Sequence, residues 1–357
     1  MANACLEARR CSGGASINLR LFPGALRTLM LLLSENLVDQ LLPPDLAIDS
    51  ADEAFRAFSG KTANIPLRSE MHRDQPKSTV LVMSGLIGSD VLGVKLVGSV
   101  FATPGHKNTT CMMMIWDARD LRVRGLIAAD RLNEHRTAAG FASATRQLAR
   151  PDAHTHLVIG AGKLAFTAVL YICRVRPVKR VLLASRSPEK VALLAARLRS
   201  EPRLSGVAVV HDIPLGAAVE QADIITTVTT SVTPVFDGRG VRPGTHINLG
   251  GAGRAHEREM DDAVAARASI WMDSAEACRQ RTGDICMPLA SGAITERHLV
   301  GEIGDLLLGR IAGRVGAADI TVFKSLGIAS QDLVLGARLL DLAERRGVGV
   351  AFDEKNG

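Results

Sequence analysis

The stretch HLVIGAGKLAFTAVLYICR, residues 156–174, decides the fold that we predict for this chain. An apolar run ends in Gly160, and the pattern Gly-x-Gly-x-x-Ala then opens a segment of helical composition. Gly160 permits a tight turn and Gly162 lets the backbone approach a pyrophosphate, while the free N–H groups and the dipole of the helix start favour an anion. Because the pattern lies between a strand and a helix, it predicts a dinucleotide-binding turn at Gly160, Ala161 and Gly162.

Downstream of this turn, strand-like and helical segments alternate. The strand candidate RVLLAS (180–185) is followed by the helix candidate SPEKVALLAARLR (187–199). Further strand candidates are GVAVVH, DIITTV, HINLG and SIWMDS, which lie between residues 206 and 274. This alternation predicts an α/β fold with a Rossmann-type, doubly wound parallel sheet.

Upstream of the turn, four apolar runs follow one another without a helix-length segment between them. They cover residues 78–87, 91–100, 111–117 and 122–130. Gly, Asp and Pro separate them, so we predict an antiparallel or mixed meander. Helical patterns predict amphipathic helices at 31–42 and 50–58, a long linking helix at 133–149 and a C-terminal helix at 328–346.

Length and composition limit the class of protein. With 357 residues the chain is long enough for two domains, since single cores stop growing at roughly 250–300 residues. Aromatic residues make up only 3% and the net charge of +6 is scattered, which argues against a nucleic-acid surface and fits a small anionic partner. No apolar run reaches the ~20 residues of a membrane span. The six cysteines form no CxxC pair, so we expect no metal site and no disulfides.

These properties favour a cytoplasmic protein with reduced cysteines. Residues 1–29 are rich in arginine and poor in acids, and lack the long apolar core of a secretory signal. We interpret them as an N-terminal extension, with a targeting peptide as the alternative.

The end of the second predicted strand indicates which dinucleotide is bound. An acid at this position would bind the ribose hydroxyl of NAD, but the segment LLASRSPEK places Arg186 between Ser185 and Ser187. A guanidinium and two hydroxyls suit a 2′-phosphate, so the segment favours NADPH, with NADH as the other possibility. The alternative is a solvated arginine at a helix start, where the dipole does not favour a cation.

Several motifs in this order resemble the ornithine cyclodeaminase/mu-crystallin family. They are NEHRTAA (133–139), the glycine turn, DIITTVTTS (223–231), INLGGAG (247–253), GD (283–284) and TVFKSLGIASQD (321–332). The resemblance covers about residues 30–350 and implies a homodimer with two domains. A Rossmann NAD(P)-binding domain, residues 146–323, would be inserted into an α+β substrate-binding and dimerisation domain, residues 30–145 and 324–357.

The resemblance also implies a site for the carboxylate of a small-molecule substrate. The matching cations are Arg68 in IPLRSEM, Lys95 in GVKLVG and Arg136 in EHRTAA, with Thr110 as a further substrate-side residue. Cations from separate segments can converge on one carboxylate through charge-assisted bonds. Lys95 interrupts an apolar strand and would be costly to bury without a partner. Lys95 and Arg136 are the predicted catalytic residues.

On the cofactor side, the resemblance and the first glycine turn together indicate twelve positions. They are Gly160, Ala161, Gly162, Ser185, Arg186, Ser187, Lys190, Thr227, Val228, Thr229, Gly250 and Ser325. The loop after residue 226 would pass along the nicotinamide ribose, and Lys324 and Ser325 would close over the nicotinamide.

The second glycine run, INLGGAGRAHERE, bears on the reaction. Cyclodeaminases and many alanine dehydrogenases of the family carry an Asp there, which accepts a proton from an amine before hydride leaves. This chain has Gly253 at the matching position. Reductases that resemble mu-crystallin also lack the acid there. We therefore predict NADPH-dependent reduction of a cyclic ketimine carboxylate, Δ1-pyrroline-2-carboxylate or Δ1-piperideine-2-carboxylate, to proline or pipecolate.

Three alternatives remain open at this point. One is an ornithine cyclodeaminase or an alanine dehydrogenase-like enzyme that uses another acid, Glu257 or Asp284. Another is a binding protein that keeps the NADPH pocket without catalysis. The third is an opine-type synthase, which joins an amine to an oxo acid and needs a roomier pocket.

Overall fold

The computed structural model describes residues 30–103 and 106–353, and these residues form two eight-stranded sheets. The extension predicted over residues 1–29 lies outside the described residues. Within the described part of the chain, no helix has both the length and the hydropathy that crossing a bilayer requires.

The chain up to residue 148 contributes seven strands and three helices. They are β1 (Met30–Leu33), α1 (Glu35–Leu41), α2 (Pro44–Ser59), β2 (Ala63–Asn64), β3 (Ser69–Arg73), β4 (Ser78–Ile87), β5 (Val91–Thr103), β6 (His106–Asp117), β7 (Val123–Ala128) and α3 (Asp130–Leu148). Strands β4 to β7 pair in sequence as an antiparallel meander, while β2 and β3 both pair with β4.

The predicted helix over residues 31–42 is wrong in its first part. Residues 30–33 form strand β1, which pairs in parallel with β7, and Leu31 and Leu33 are buried there. The helix begins only after Ser34, whose side chain accepts a hydrogen bond from the Leu37 N–H and caps α1. A run of leucines satisfies both a strand and a helix pattern, and here the open edge of β7 decides between them.

The middle of the chain builds the predicted doubly wound sheet. Its elements are β8 (Thr155–Ile159), α4 (Lys163–Val175), β9 (Arg180–Ala184), α5 (Pro188–Arg199), β10 (Ala208–Val210), α6 (Leu215–Gln221), β11 (Ile224–Thr227), β12 (His246–Leu249), α7 (Asp262–Ala265), β13 (Ala268–Met272), α8 (Ala275–Arg281), α9 (Gly283–Ser291), β14 (Leu299–Glu302), α10 (Ile303–Leu307) and β15 (Ile320–Lys324). All neighbouring strands are parallel, in the order β10-β9-β8-β11-β12-β15-β13-β14. The strand order reverses between β8 and β11, and this is where such sheets bind ligands.

The end of the chain returns to the first sheet. Helix α11 (Ala329–Arg346) packs on the inner face of the meander, and β16 (Val350–Phe352) pairs with β1 at the sheet edge. Gly85 and Gly93 lie directly opposite each other on β4 and β5, and Leu333 of α11 packs against both. A side chain at Gly93 would place its Cβ 2.5 Å from Leu333 Cδ2, so these glycines bring α11 close to the strands. The division into the two domains proposed above remains a prediction.

Candidate active site

Two of the predicted substrate residues, Lys95 and Arg136, meet beside α11. Lys95 lies on the inner face of β5, is buried, and donates through Nζ to Asp332 Oδ1 at 2.8 Å and to Asn133 Oδ1 at 2.6 Å. Arg136 donates to the same Asn133 oxygen at 2.7 Å, and its Nε lies 3.2 Å from Asp332 Oδ1. One carboxylate therefore faces two cations, and the net positive charge of this cluster suits a substrate carboxylate.

The environment of Lys95 favours the loss of its proton. Burial lowers the pKa of Lys95, the charge of Asp332 opposes this change, and the charge of Arg136 adds to it. The second carboxylate oxygen of Asp332, Oδ2, is buried and has no hydrogen-bond partner among the described residues. The cluster thus combines an ammonium of lowered pKa with a buried acceptor, which are groups suited to binding an anion and passing a proton.

Arg68, the third predicted cation, immediately precedes β3. Burial lowers the pKa of Arg68, the charge of Asp273 opposes this change, and repulsion from Arg136 adds to it, so Arg68 belongs to the same region. Its Nε lies 3.4 Å from Glu70 Oε1, and Arg281 of α8 donates to the same carboxylate. Glu70 thus links Arg68, just before β3, to Arg281 at the end of α8.

Thr110 does not join these cations within one chain. It pairs with Gly98 across β5 and β6, whereas Lys95 pairs with Met113, three residues further along. Side chains alternate along a strand, so Thr110 lies on the opposite face of the sheet, where it is exposed. The neighbouring Cys111 is the residue that faces inward, and it is buried close enough to Lys95 for their charges to interact.

The first glycine turn has the geometry of a nucleotide site. Gly160 has a φ of 118°, and a Cβ there would lie 2.6 Å from the Val228 carbonyl oxygen, so only glycine fits between the ends of β8 and β11. Gly162 is the N-cap of α4, and a Cβ built on it meets no atom within 4 Å. The helix start is therefore open to an anion, with the partly exposed Ala161 between the two glycines.

The segment predicted to bind the adenosine ribose follows β9. Ser185, Arg186 and Lys190 are exposed, and Ser187 caps α5 by accepting a hydrogen bond from the Lys190 N–H. Among the described residues, the first acid after β9 is Glu189, whose carboxylate accepts a hydrogen bond from the Ser187 hydroxyl at 2.9 Å. No acid ends β9 itself, so the strand lacks the usual partner of an NAD ribose hydroxyl.

The ends of β11 and β12 meet over a buried acid that the sequence did not reveal. Glu259 accepts hydrogen bonds from the Thr227 hydroxyl at 2.8 Å and from the Thr229 hydroxyl and N–H, both at 2.7 Å. It also accepts one from the Gly251 N–H at 2.7 Å. A Cβ at Gly250 would collide with Phe141 of α3, which packs beneath the second glycine run. The partly buried Val228 lies between the two threonines.

Lys324, in the segment that returns from the Rossmann sheet, does not have the exposed position that the sequence predicted. This residue ends β15, and its Nζ lies 2.8 Å from Asp284 Oδ2, with both side chains fully enclosed. The Lys324 ammonium is therefore buried and paired with Asp284, and is not exposed where it could contact a nicotinamide. The Ser325 hydroxyl is 3.1 Å from Asp273 Oδ2, which also accepts hydrogen bonds from the N–H groups of Leu326 and Gly327. Gly327 has a φ of 80° and packs against the Arg136 guanidinium.

Gly253 lies in open space. A Cβ at this position meets no atom within 4 Å, and its φ is outside the left-handed region, so the backbone would accept an Asp. Its N–H donates to Glu257 Oε2 at 3.0 Å, while Glu257 Oε1 pairs with Arg254 at 3.1 Å. Asp284, the other acid considered, is held by Lys324 and by the N–H groups of Glu259 and Met260. Packing does not require glycine at position 253. The absence of an acid there therefore changes the chemistry of the site and does not relieve a steric clash.

The second sheet is parallel and has a glycine turn at its switch point, and it lies beside a cationic cluster on the first sheet. These features define a Rossmann-type α/β protein with an added substrate-side layer. The model of the ornithine cyclodeaminase/mu-crystallin family matches residues 28–345. The chain belongs to this family.

Individual relatives narrow the comparison. Delta(1)-pyrroline-2-carboxylate reductase of Bacillus cereus is 31% identical over 324 residues, covering 90% of this chain and 98% of the relative. The protein of the same name from Paracoccus denitrificans is 37% identical over 266 residues, covering 73% of this chain and 83% of the relative. The structure of Thermococcus litoralis Delta(1)-pyrroline-2-carboxylate reductase, in complex with NADH and L-proline, matches with a TM-score of 0.83 and 28% identity. That match covers 90% of this chain and 99% of the other.

Proposed function

We propose that this protein reduces a cyclic ketimine carboxylate with a nicotinamide cofactor, and that Δ1-pyrroline-2-carboxylate is the substrate to test first. The observation that carries the proposal is the cation cluster of Lys95 and Arg136 around Asp332, combined with the absence of a side chain at Gly253. Two relatives named Delta(1)-pyrroline-2-carboxylate reductase, each at least 31% identical to the chain, support it.

The residues present account for the chemistry of a reductase. A bound reduced cofactor supplies hydride to the imine carbon. Lys95, Arg136 and Arg68 bind the substrate carboxylate through charge-assisted hydrogen bonds, which fixes the ring orientation. Reduction of the C=N bond consumes one hydride and one proton. A protonated imine already carries that proton, and for a neutral imine the buried ammonium of Lys95, or a water, delivers it to the nitrogen.

The cyclodeaminase alternative requires an acid that receives a proton from an amine. Asp284 is enclosed and bound to Lys324, so Glu257 is the remaining candidate of the two. Its carboxylate is engaged by the Gly253 N–H and by Arg254. It would have to leave both partners to act as a base, and this favours the reductase.

The experiment is a substrate panel with purified protein and both NADPH and NADH. We expect loss of nicotinamide absorbance with Δ1-pyrroline-2-carboxylate or Δ1-piperideine-2-carboxylate, and little with pyruvate plus ammonia. Release of ammonia from ornithine without reduction of either imine would instead identify a cyclodeaminase. Tight cofactor binding without turnover of any compound would identify a binding protein.

For the cofactor, we propose NADPH in preference to NADH, held by Gly160, Gly162, the 185–190 segment and the ends of β11 and β12. Arg186 is exposed directly after β9, where a 2′-phosphate would lie in this fold. Arg186→Ala should raise the KM for NADPH by about tenfold or more, since a charge-assisted hydrogen bond contributes ~1.5–3 kcal/mol, and should leave the KM for NADH nearly unchanged. Arg239→Ala, at an exposed arginine elsewhere in the domain, is the control. Equal effects of Arg186→Ala on both cofactors would refute the proposal.

We also propose a cytoplasmic homodimer. The outer face of the first sheet, opposite α11, exposes four large apolar side chains: Met71, Leu96, Val100 and Met112. Leu96 and Met112 lie directly opposite each other on β5 and β6. A contiguous apolar face of this kind is typical of a surface that another protein covers. The four described cysteines are free thiols, as is usual in a reducing compartment.

A further inference from the structure

Glu259 is a buried carboxylate that is held by hydroxyl and backbone N–H groups. Its side chain is fully buried between the ends of β11 and β12, and its two oxygens accept four hydrogen bonds. Oε1 accepts from the Thr229 N–H and hydroxyl, and Oε2 accepts from the Thr227 hydroxyl and the Gly251 N–H. One carboxylate thus links two separate loops at the carboxyl edge of the sheet.

A second layer holds this carboxylate in place. Asp284 accepts hydrogen bonds through Oδ1 from the backbone N–H groups of Glu259, at 2.7 Å, and Met260, at 2.9 Å. Its other oxygen is 2.8 Å from Lys324 Nζ. Burial acts to lower the pKa of Lys324, but the charges of Asp284 and Glu259 outweigh it and raise the pKa above its usual value. The Lys324 ammonium therefore contacts Asp284 and is stabilised at longer range by the charge of Glu259.

We propose that Glu259 is the positioning residue for the nicotinamide side of the cofactor site. This inference rests on the proposed function, because Thr227, Thr229 and Gly250 are assigned to the cofactor there. The Gly250 N–H donates to the Thr227 carbonyl at 3.0 Å, and Glu259 fixes the residues on both sides of that contact. The loops are thereby preorganised before the cofactor binds, and a preorganised site loses less affinity to ordering.

The charge of Glu259 has a separate effect. The oxidised nicotinamide ring is a cation and the reduced ring is neutral. A buried carboxylate held at this edge of the sheet stabilises the cation in a medium of low dielectric. With a cofactor bound as proposed, Glu259 would favour the oxidised form over the reduced form and so assist the departure of hydride.

The test is Glu259→Gln compared with Asp223→Asn. Asp223 is also a buried carboxylate that accepts hydrogen bonds from backbone N–H groups, those of His154 and Thr155, but it lies at the opposite end of β8 and β11. We expect Glu259→Gln to raise the Kd of both cofactor forms by about tenfold, since bonds to charged groups are the strong ones, with a larger increase for the oxidised form. Asp223→Asn should lower thermal stability without changing the ratio of the two constants.

Hydrogen exchange provides a readout that does not need the cofactor. The amides of Thr229 and Gly251 should exchange faster in Glu259→Gln, while those of β11 stay protected. If Glu259→Gln does not fold, Thr227→Val removes one of the four bonds from a fully buried hydroxyl, and we expect a Kd about threefold higher. Thr226→Val, at the adjacent buried hydroxyl that contacts His156, is its control and should bind normally.

The outcomes separate the inference from the function. A wild-type protein that binds neither NADPH nor NADH would overturn both. A wild-type protein that binds cofactor, together with a Glu259→Gln variant whose two Kd values match those of Asp223→Asn, would overturn the role of Glu259 alone.

Discussion

Asp332 contacts both buried cations of the proposed substrate site through a single oxygen, at 2.8 Å from Lys95 Nζ and 3.2 Å from Arg136 Nε. Asp332→Asn removes the charge that opposes the lowering of the Lys95 pKa. We expect the pKa of Lys95 to fall further. The ammonium then loses its proton at a lower pH than in the wild type. The alkaline limb of the pH profile of kcat/KM should then move to lower pH. The unfolding free energy should drop by about 3–5 kcal/mol, as when one partner of a buried ion pair is removed.

Asp341→Asn is the matched control, because Asp341 lies on the same helix and pairs with Arg124 at 2.6 Å, but is half exposed. It should leave the alkaline limb in place. A profile of Asp332→Asn that coincides with the wild type would show that Asp332 acts only on stability.

Single residues show where sequence reasoning stops. Lys95 could be singled out because a charge interrupts an apolar strand, and the structure brings it together with Arg136 as the motifs indicated. Asp332 was missed because it follows Lys95 by 237 positions, and only folding brings the two together. The face of Thr110 could not be assigned, because the run CMMMIW is apolar at every position and hides the alternation between inner and outer side chains.

At the scale of elements, the fit of α11 against β4 and β5 controls the substrate site. Gly93→Ala would place a Cβ 2.5 Å from Leu333 Cδ2 and 2.9 Å from Ile115 Cδ1, next to the helix turn that carries Asp332. Overpacking of this kind costs about 1–3 kcal/mol. We therefore expect a lower thermal unfolding midpoint and a raised KM for the imine.

Gly98→Ala on the same strand is the control, since within its own chain its Cβ would meet only the Thr110 carbonyl oxygen, at 3.9 Å. Gly98 lies between Leu96 and Val100 on the proposed dimer face, so light scattering must first show that the variant keeps the mass of the wild type. It should resemble the wild type in both measurements. Equal losses in the two variants would indicate a general intolerance of β5 to side chains, and not the docking of α11.

Most long elements could be predicted, and the failures have a common physical cause. The meander, the linking helix and the βα alternation have lengths and patterns of their own, so their sequences suffice. Strand β1 was misassigned because four residues carry too little periodicity, and its pairing with β7 and β16 decides its structure. Strand β15 was not placed in the Rossmann sheet because nothing in TVFK indicates that it lies between β12 and β13.

At the scale of the whole molecule, the apolar outer face of the first sheet predicts that two copies of the chain form a dimer. Leu96 and Met112 are 44% and 45% exposed, and as direct neighbours they present one apolar surface. The double variant Leu96→Lys, Met112→Lys should change the mass found by light scattering from that of a dimer to that of one chain. Lysine would be buried without a partner at the interface.

Leu193→Lys, which changes an exposed leucine on α5, should remain dimeric and serves as the control. A wild-type protein that is a single chain at micromolar concentration, or a double variant that still forms dimers, would exclude this face as the interface. The two substitutions lie on the first sheet and the proposed cofactor residues on the second, so an unchanged cofactor affinity shows that the double variant has kept its fold.

The position of β15 has a consequence for how the chain is made. This strand, residues 320–324, lies in the sheet between β12 and β13, which precede it by about fifty residues or more, and β16, at 350–352, borders β1 at the start of the described chain. A ribosome releases the chain from its amino end, so neither sheet can be completed until the last segments have emerged. Such distant pairings slow folding and leave strand edges exposed during synthesis. Truncation before residue 320 would remove β15, α11 and β16, and would therefore disrupt both sheets together.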